Sequence, residues 1–181
     1  MVRALLIIDI QRDYFPGGAY PLVEPVRAAA AARRVLDAFR ADGEPVIHLQ
    51  HVWDEPDATF MRPGTDGVGI HPRLAPTAGE PVLQKAAPNG FVGTALEEEL
   101  RSRGVEELVT AGMMSSMCVD ATVRAAADLG FSVTVVHDGC AAPDLRFGDV
   151  DVPGASVHAA FMAALSDGYA TVVSADELLS P

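Results

Sequence analysis

Ala4-Leu5-Leu6-Ile7-Ile8, closed by Asp9, is the stretch on which the reading of this chain turns. Five apolar residues without polar alternation describe a strand covered on both faces, as in a parallel sheet with helices above and below it. The rest of the chain keeps to that plan. Val23 to Arg40 carries apolar residues at helical spacing (Val26, Ala30, Val35, Ala38, Phe39) and stops at Asp42-Gly43, where glycine suits a helix end. Pro45–Leu49 reads as the second strand and Pro81–Gln84 as the third, ending at Lys85. Thr94 to Arg103 follows as a helix with Thr94 as N-cap and Gly104 as terminator. Glu107–Ala111 is a strand, Ser116–Leu129 a helix closed by Gly130, and Ser132–Val136 a strand. After a loop over Asp138–Val152 come a helix, Pro153–Ser166, and a last strand, Ala170–Val173. Strands alternating with helices predict right-handed βαβ units. The expected class is α/β: a single three-layer domain over residues 1–181, Rossmann-like, with a six-stranded mostly parallel sheet flanked by helices.

Trp53 to Glu80 breaks the alternation. It is rich in Gly, Pro and Asp and has no periodicity, and a stretch of that kind inside a compact domain usually carries function or covers a site. The 181 residues suit one domain. A formal net charge of −12 argues against nucleic-acid and anionic-membrane partners, because phosphates would be repelled. Two cysteines, Cys118 and Cys140, make no disulfide framework, and Cys140 reads as structural. No apolar run is long enough for a signal peptide or membrane span, so a cytoplasmic location is expected.

Open α/β sheets bind ligands outside the carboxyl ends of their strands, where strand order reverses. Asp9 ends the first strand, Lys85 the third, and Gly112–Cys118 follows the fourth. A strand order of 3-2-1-4-5-6 would bring Asp9 and the Cys118 turn face to face. Lys85 is the only lysine among 13 basic residues, the other twelve being Arg, which suggests that it is kept for chemistry. A free thiol is mostly protonated at neutral pH. The first turn of a helix and a neighbouring ammonium would favour the thiolate of Cys118, and Asp9 is placed to take its proton. Taken singly, each has a plainer use: Asp as a capping group, Cys as a small hydrophobe, Lys as surface charge. What lifts them together is their shared position at strand ends.

Leu5-Leu6-Ile7-Ile8-Asp9-Ile10-Gln11-Arg12-Asp13-Tyr14-Phe15 resembles the opening strand of the isochorismatase-like cysteine hydrolases. Val82-Leu83-Gln84-Lys85, with Phe91, Thr94 and Leu96 after it, is similar to that family's lysine strand. Ala111-Gly112-Met113-Met114-Ser115-Ser116-Met117-Cys118-Val119-Asp120-Ala121-Thr122 is similar to its nucleophile turn, and Phe60–Gly67 also resembles a segment of it. The resemblance runs from about residue 4 to 173 and implies the isochorismatase-like hydrolase fold. It also implies a catalytic triad of Asp9, Lys85 and Cys118 that cleaves a carbon–nitrogen bond through a thioester. A cis peptide before Met114 is implied too, with the Met114 and Cys118 N–H groups forming the oxyanion hole, and so is assembly as a homodimer or homotetramer.

Departures narrow the expectation. Nicotinamidases of that family carry an Asp-x-His metal motif after the second strand. This chain has His48-Leu49-Gln50-His51, and two His three apart on a strand point to opposite faces. No metal and no cofactor are therefore expected, and nicotinamidase is disfavoured. Siderophore-type isochorismatases cleave a vinyl ether and typically lack the cysteine, so a small amide, carbamoyl compound or lactam is the expected substrate and the vinyl ether the alternative. A nucleotide or flavin module is disfavoured by the missing Gly-x-Gly-x-x-Gly turn and phosphate loop. Phe15, Trp53, Phe91, Met117 and Val119 are candidate pocket walls, and Trp53 is also a candidate cover.

Overall fold

The computed structural model describes residues 2–180. In chain order its strands are β1 (Val2–Ile8), β2 (Val46–His51), β3 (Val82–Lys85), β4 (Val105–Met113), β5 (Ser132–Ala141), β6 (Leu145–Phe147), β7 (Val150–Val152) and β8 (Thr171–Val173). The helices are α1 (Pro25–Asp42), α2 (Leu96–Ser102), α3 (Asp120–Asp128), α4 (Gly154–Ser166) and α5 (Ala175–Leu179). Six strands form one parallel sheet in the order β3-β2-β1-β4-β5-β8. That is the 3-2-1-4-5-6 arrangement, with the order reversing between β1 and β4.

β1 shows why the fold has three layers. Leu5 and Ile7 pack on one side with Ala28, Val35 and Leu36 of α1 and Ala175 of α5. Ala4, Leu6 and Ile8 pack on the other with Leu96 and Leu100 of α2, Val123 of α3 and Met162 and Leu165 of α4. Alternate side chains of a strand point to opposite faces, so a continuous apolar run feeds two cores. Each buried Leu or Ile contributes on the order of 2 kcal/mol. No helix is long and apolar enough to cross a membrane among the described residues.

Four local readings need correction. β5 continues to Ala141, so Cys140 lies inside that strand and not beyond it; its thiol faces the Val136 carbonyl at 3.4 Å, and burial pushes its pKa up to about 12. The expected loop Asp138–Val152 contains an antiparallel hairpin, β6–β7, whose three-residue strands are too short to show periodicity. The helix expected from Ser116 opens with a wide π turn, Ser115–Val119, and turns α-helical only at Asp120. Thr94 is not the N-cap residue of α2, although its hydroxyl does accept from Leu96 N at 3.2 Å and donate to the Gly90 carbonyl at 2.6 Å. The long stretch after Trp53 holds one short 3-10 turn, Pro72–Leu74, and is tied to the segment following β1. Asp13 accepts from Met61 N at 2.7 Å and from Ala19 N at 3.1 Å, and Gln11 bridges to Ile70.

Candidate active site

Asp9 turns the chain out of β1 with φ +49°, a left-handed conformation that Asp tolerates better than branched residues do. Its side chain is fully buried. Lys85, the last residue of β3, and Cys118, in the π turn after β4, are buried beside it. Lys85 Nζ is 2.7 Å from Asp9 Oδ2 and 3.3 Å from Cys118 Sγ. The three strand-end residues therefore form one cluster. Asp9 Oδ1 has no hydrogen-bond partner among the described residues, and Oδ2 meets Lys85 as an ion pair outside hydrogen-bonding alignment. That leaves a buried, ion-paired carboxylate with lone pairs free to accept a proton.

The electrostatics of the thiol differ from the expectation. Burial, and next the negative charge of Asp9, raise the Cys118 pKa, and the Lys85 ammonium only partly offsets them. The resting group is a thiol, so a proton must leave Sγ before the sulfur can attack. The Met113–Met114 peptide is cis, and the Met114 carbonyl accepts from both Met117 N and Val119 N at 3.1 Å, fixing the turn. Buried Ser115 is hydrogen-bonded through Oγ to His158 Nδ1 of α4 at 2.8 Å, which braces the turn from behind.

Two residues given no catalytic part complete the cluster. His51 is registered beside Lys85 across β2 and β3, and its Nδ1 lies 3.1 Å from Lys85 Nζ. Burial, then Lys85, lower the His51 pKa, so the ring is neutral at neutral pH. An ammonium can only donate, so Nδ1 accepts and the ring proton is on Nε2. Buried Gln11 clamps the His51 backbone: Oε1 accepts from His51 N at 2.8 Å, and Nε2 donates to His51 O at 2.8 Å and Val68 O at 2.7 Å. The second strand expected from the sequence ends at Leu49, which does not set His51 beside Lys85; the structure extends β2 to His51.

Donor atoms of Asp9, His51 and Cys118 lie within 4.8 Å of one another, a set with the chemistry to hold a soft cation. The Lys85 ammonium already stands among them, 2.7, 3.1 and 3.3 Å from the three, so the residues do not fit a metal while Lys85 is in place. His48 is turned away to Glu80, at 3.1 Å.

The five candidate pocket walls divide. Phe15 stacks on His71, with ring centroids 3.9 Å apart, and lines a cavity of about 670 Å³ with Arg12, Asp13 and Phe60; Asp9, Lys85 and Cys118 are not part of its lining. Trp53 packs edge-on against Phe60 at 5.4 Å. Met117 is 46 % exposed beside Cys118. Val119 is fully buried in the core, and Phe91 packs towards Phe131 at 6.3 Å in the same layer.

The family model of the isochorismatase domain matches residues 3–177. The chain belongs to the isochorismatase family. An isochorismatase family protein of Bacillus subtilis, YddQ, is 48% identical over 179 residues, covering 99% of each chain. A crystal structure assigned as an isochorismatase hydrolase, from Oleispira antarctica, superimposes with a TM-score of 0.94 at 47% identity, covering 98% of this chain and 95% of that one. The nicotinamidase of Escherichia coli is 28% identical over 212 residues, covering 96% of each chain. Isochorismatase-family relatives thus include amidases, and the fold is that of the isochorismatase hydrolases.

Proposed function

We propose that this protein is a metal-independent cysteine hydrolase that cleaves the carbon–nitrogen bond of a small amide, carbamoyl compound or lactam. One observation carries the reading: a buried lysine within 3.3 Å of both a thiol and a carboxylate. Asp9 takes the Sγ proton of Cys118, and the sulfur attacks the substrate carbonyl carbon while the Lys85 ammonium balances the negative charge. Met114 and Cys118 N–H groups receive the oxyanion, each worth roughly 3–4 kcal/mol. The carbon–nitrogen bond then breaks, Asp9 returns its proton to the leaving nitrogen, and a thioester remains. Water, deprotonated by Asp9, adds to that thioester; the carbon–sulfur bond breaks, releasing the acid and restoring the thiol.

The amidase among the relatives supports this chemistry by its name, and the presence of Cys118 separates it from vinyl-ether cleavage. The same reading takes residues 1–181 as one hydrolase domain, assembled as a homodimer or homotetramer. The test is a panel of small amides, carbamoyl compounds and lactams given to wild type and Cys118→Ala. The variant should fall to background on whatever substrate the wild type turns over. Undiminished turnover by Cys118→Ala, or activity indifferent to iodoacetamide, would exclude the thioester route.

A further inference from the structure

Lys85 Nζ has three hydrogen-bond acceptors, Ala87 O at 3.0 Å, His51 Nδ1 at 3.1 Å and Cys118 Sγ at 3.3 Å, and an ion-pair partner in Asp9 Oδ2 at 2.7 Å. Asp9 and Cys118 are the groups it serves in the reaction. Ala87 O and His51 Nδ1 take no part in the bond changes, so their effect is on where the ammonium stands. Ala87 belongs to the same short segment as Lys85 and moves with it. His51 is on the neighbouring strand, and its backbone is fastened on both its N–H and its C=O by one buried glutamine. The charged or titratable groups facing the ring are Lys85 from β3, Asp9 from the end of β1 and Cys118 from the π turn.

We propose that His51 is a positioning residue: held by Gln11, its Nδ1 accepts from the Lys85 ammonium and keeps that ammonium between the Asp9 carboxylate and the Cys118 sulfur. The inference rests on the Asp9–Lys85–Cys118 reading but can be tested without knowing the substrate. A lysine stem has four rotatable bonds, and its ammonium guides a developing thiolate only while it is kept close. Removing Nδ1 frees the ammonium to follow Asp9 or Ala87 O alone. Asn places a carbonyl oxygen near the position of Nδ1, whereas Leu keeps similar bulk without an acceptor.

The experiment measures the rate of iodoacetamide alkylation at the Cys118 peptide, by mass, near neutral pH, in wild type, His51→Asn, His51→Leu and His51→Ala. Thermal unfolding of each is followed in parallel. An ammonium close to a thiol lowers its pKa by about one unit or more, so Leu and Ala should slow alkylation about tenfold. Asn should stay within about twofold of wild type, since it keeps an acceptor. If Ala does not fold, Leu carries the same comparison. Alkylation in His51→Leu equal to wild type overturns the proposal, and so does an Asn variant as slow as Leu with unchanged unfolding. The amide panel with Cys118→Ala separates the two ideas: retained amide turnover there sinks the triad reading, whereas a dead Cys118→Ala with unaffected His51 variants sinks the positioning role alone.

Discussion

Lys85 shows how much can depend on one side chain. Its ammonium is buried with four partners inside 3.3 Å, so the volume around it is set by a compact cation. A guanidinium is broad and planar and cannot meet those partners from one point. Lys85→Arg should therefore lose about a hundredfold in kcat, the usual scale for misplacing a catalytic group by about an ångström. Full activity in that variant would return the lone lysine to coincidence. Cys140 supplies the opposite prediction. It is buried within β5, its thiol facing the Val136 carbonyl and making no hydrogen bond to Asp9, Lys85 or Cys118, and its pKa is pushed up to about 12 by burial. Cys140→Ala should keep wild-type turnover and leave a single reactive thiol, which titration with iodoacetamide would show. Asp9, Lys85 and Cys118 were legible because strand ends are where such sheets place their sites. His51 was not, because its place beside Lys85 depends on the register of two strands, which no spacing along the chain encodes.

At the scale of elements, the segment after β1 organises more than its length suggests. Gln11 makes three hydrogen bonds that fasten the end of β2 and the Val68 carbonyl, and Asp13 fastens Ala19 and Met61. Gln11→Ala would leave those backbone groups unpaired, and denaturant unfolding should report a loss of about 1–3 kcal/mol. Gln11→Glu should do no better, since a carboxylate cannot donate to the His51 and Val68 carbonyls. Gly67 meets the same anchor: a Cβ there would lie 1.9 Å from Asp13 Oδ1. Gly67→Ala should therefore displace the Asp13 carboxylate and lower Tm. Strands and helices with strong periodicity were legible, as were the layers they build. The β6–β7 hairpin and the π turn were not, since three-residue strands and a single wide turn carry no period to read. The short α5 did carry a signal in Ser174-Ala175-Asp176-Glu177, a capping box, which the reading of periodicity passed over.

Across the whole molecule, a part-buried ionic knot joins helix, sheet and loop. Glu80 meets Arg40 of α1 at 2.7 and 2.8 Å, His48 of β2 at 3.1 Å and Thr77 N at 2.9 Å. Burial opposes its ionisation, but the hydrogen bonds from Arg40, Thr77 and His48 prevail and lower its pKa from 4.5 to about 2. A carboxylate with a lowered folded pKa stabilises fully above its unfolded value and loses that contribution as pH falls through the folded one. Glu80→Gln should thus be less stable than wild type at neutral pH, with the gap closing between pH 4.5 and about 2. Burial also lowers the His48 pKa, so its neutral form likewise favours the folded state and is lost on acidification. Urea unfolding of the two proteins over that range checks the sign. A gap that widened on acidification would contradict it.

The sheet order has a consequence for the chain as it is made. β1 is made before the other strands of the sheet, yet it ends up between β2 and β4, and β4 begins only at Val105. Until Met113 has emerged, the nascent chain holds at most β3-β2-β1, with one edge of a strand that is apolar from Ala4 to Ile8 open to any other extended segment. Open apolar edges invite intermolecular pairing. A fragment ending at Gly104 should therefore pellet or remain with a chaperone, while the full chain stays in the supernatant; a soluble monomeric fragment would show that the first half protects its own edge. The central strand that unites the two cores is also the one that waits longest for a partner during synthesis.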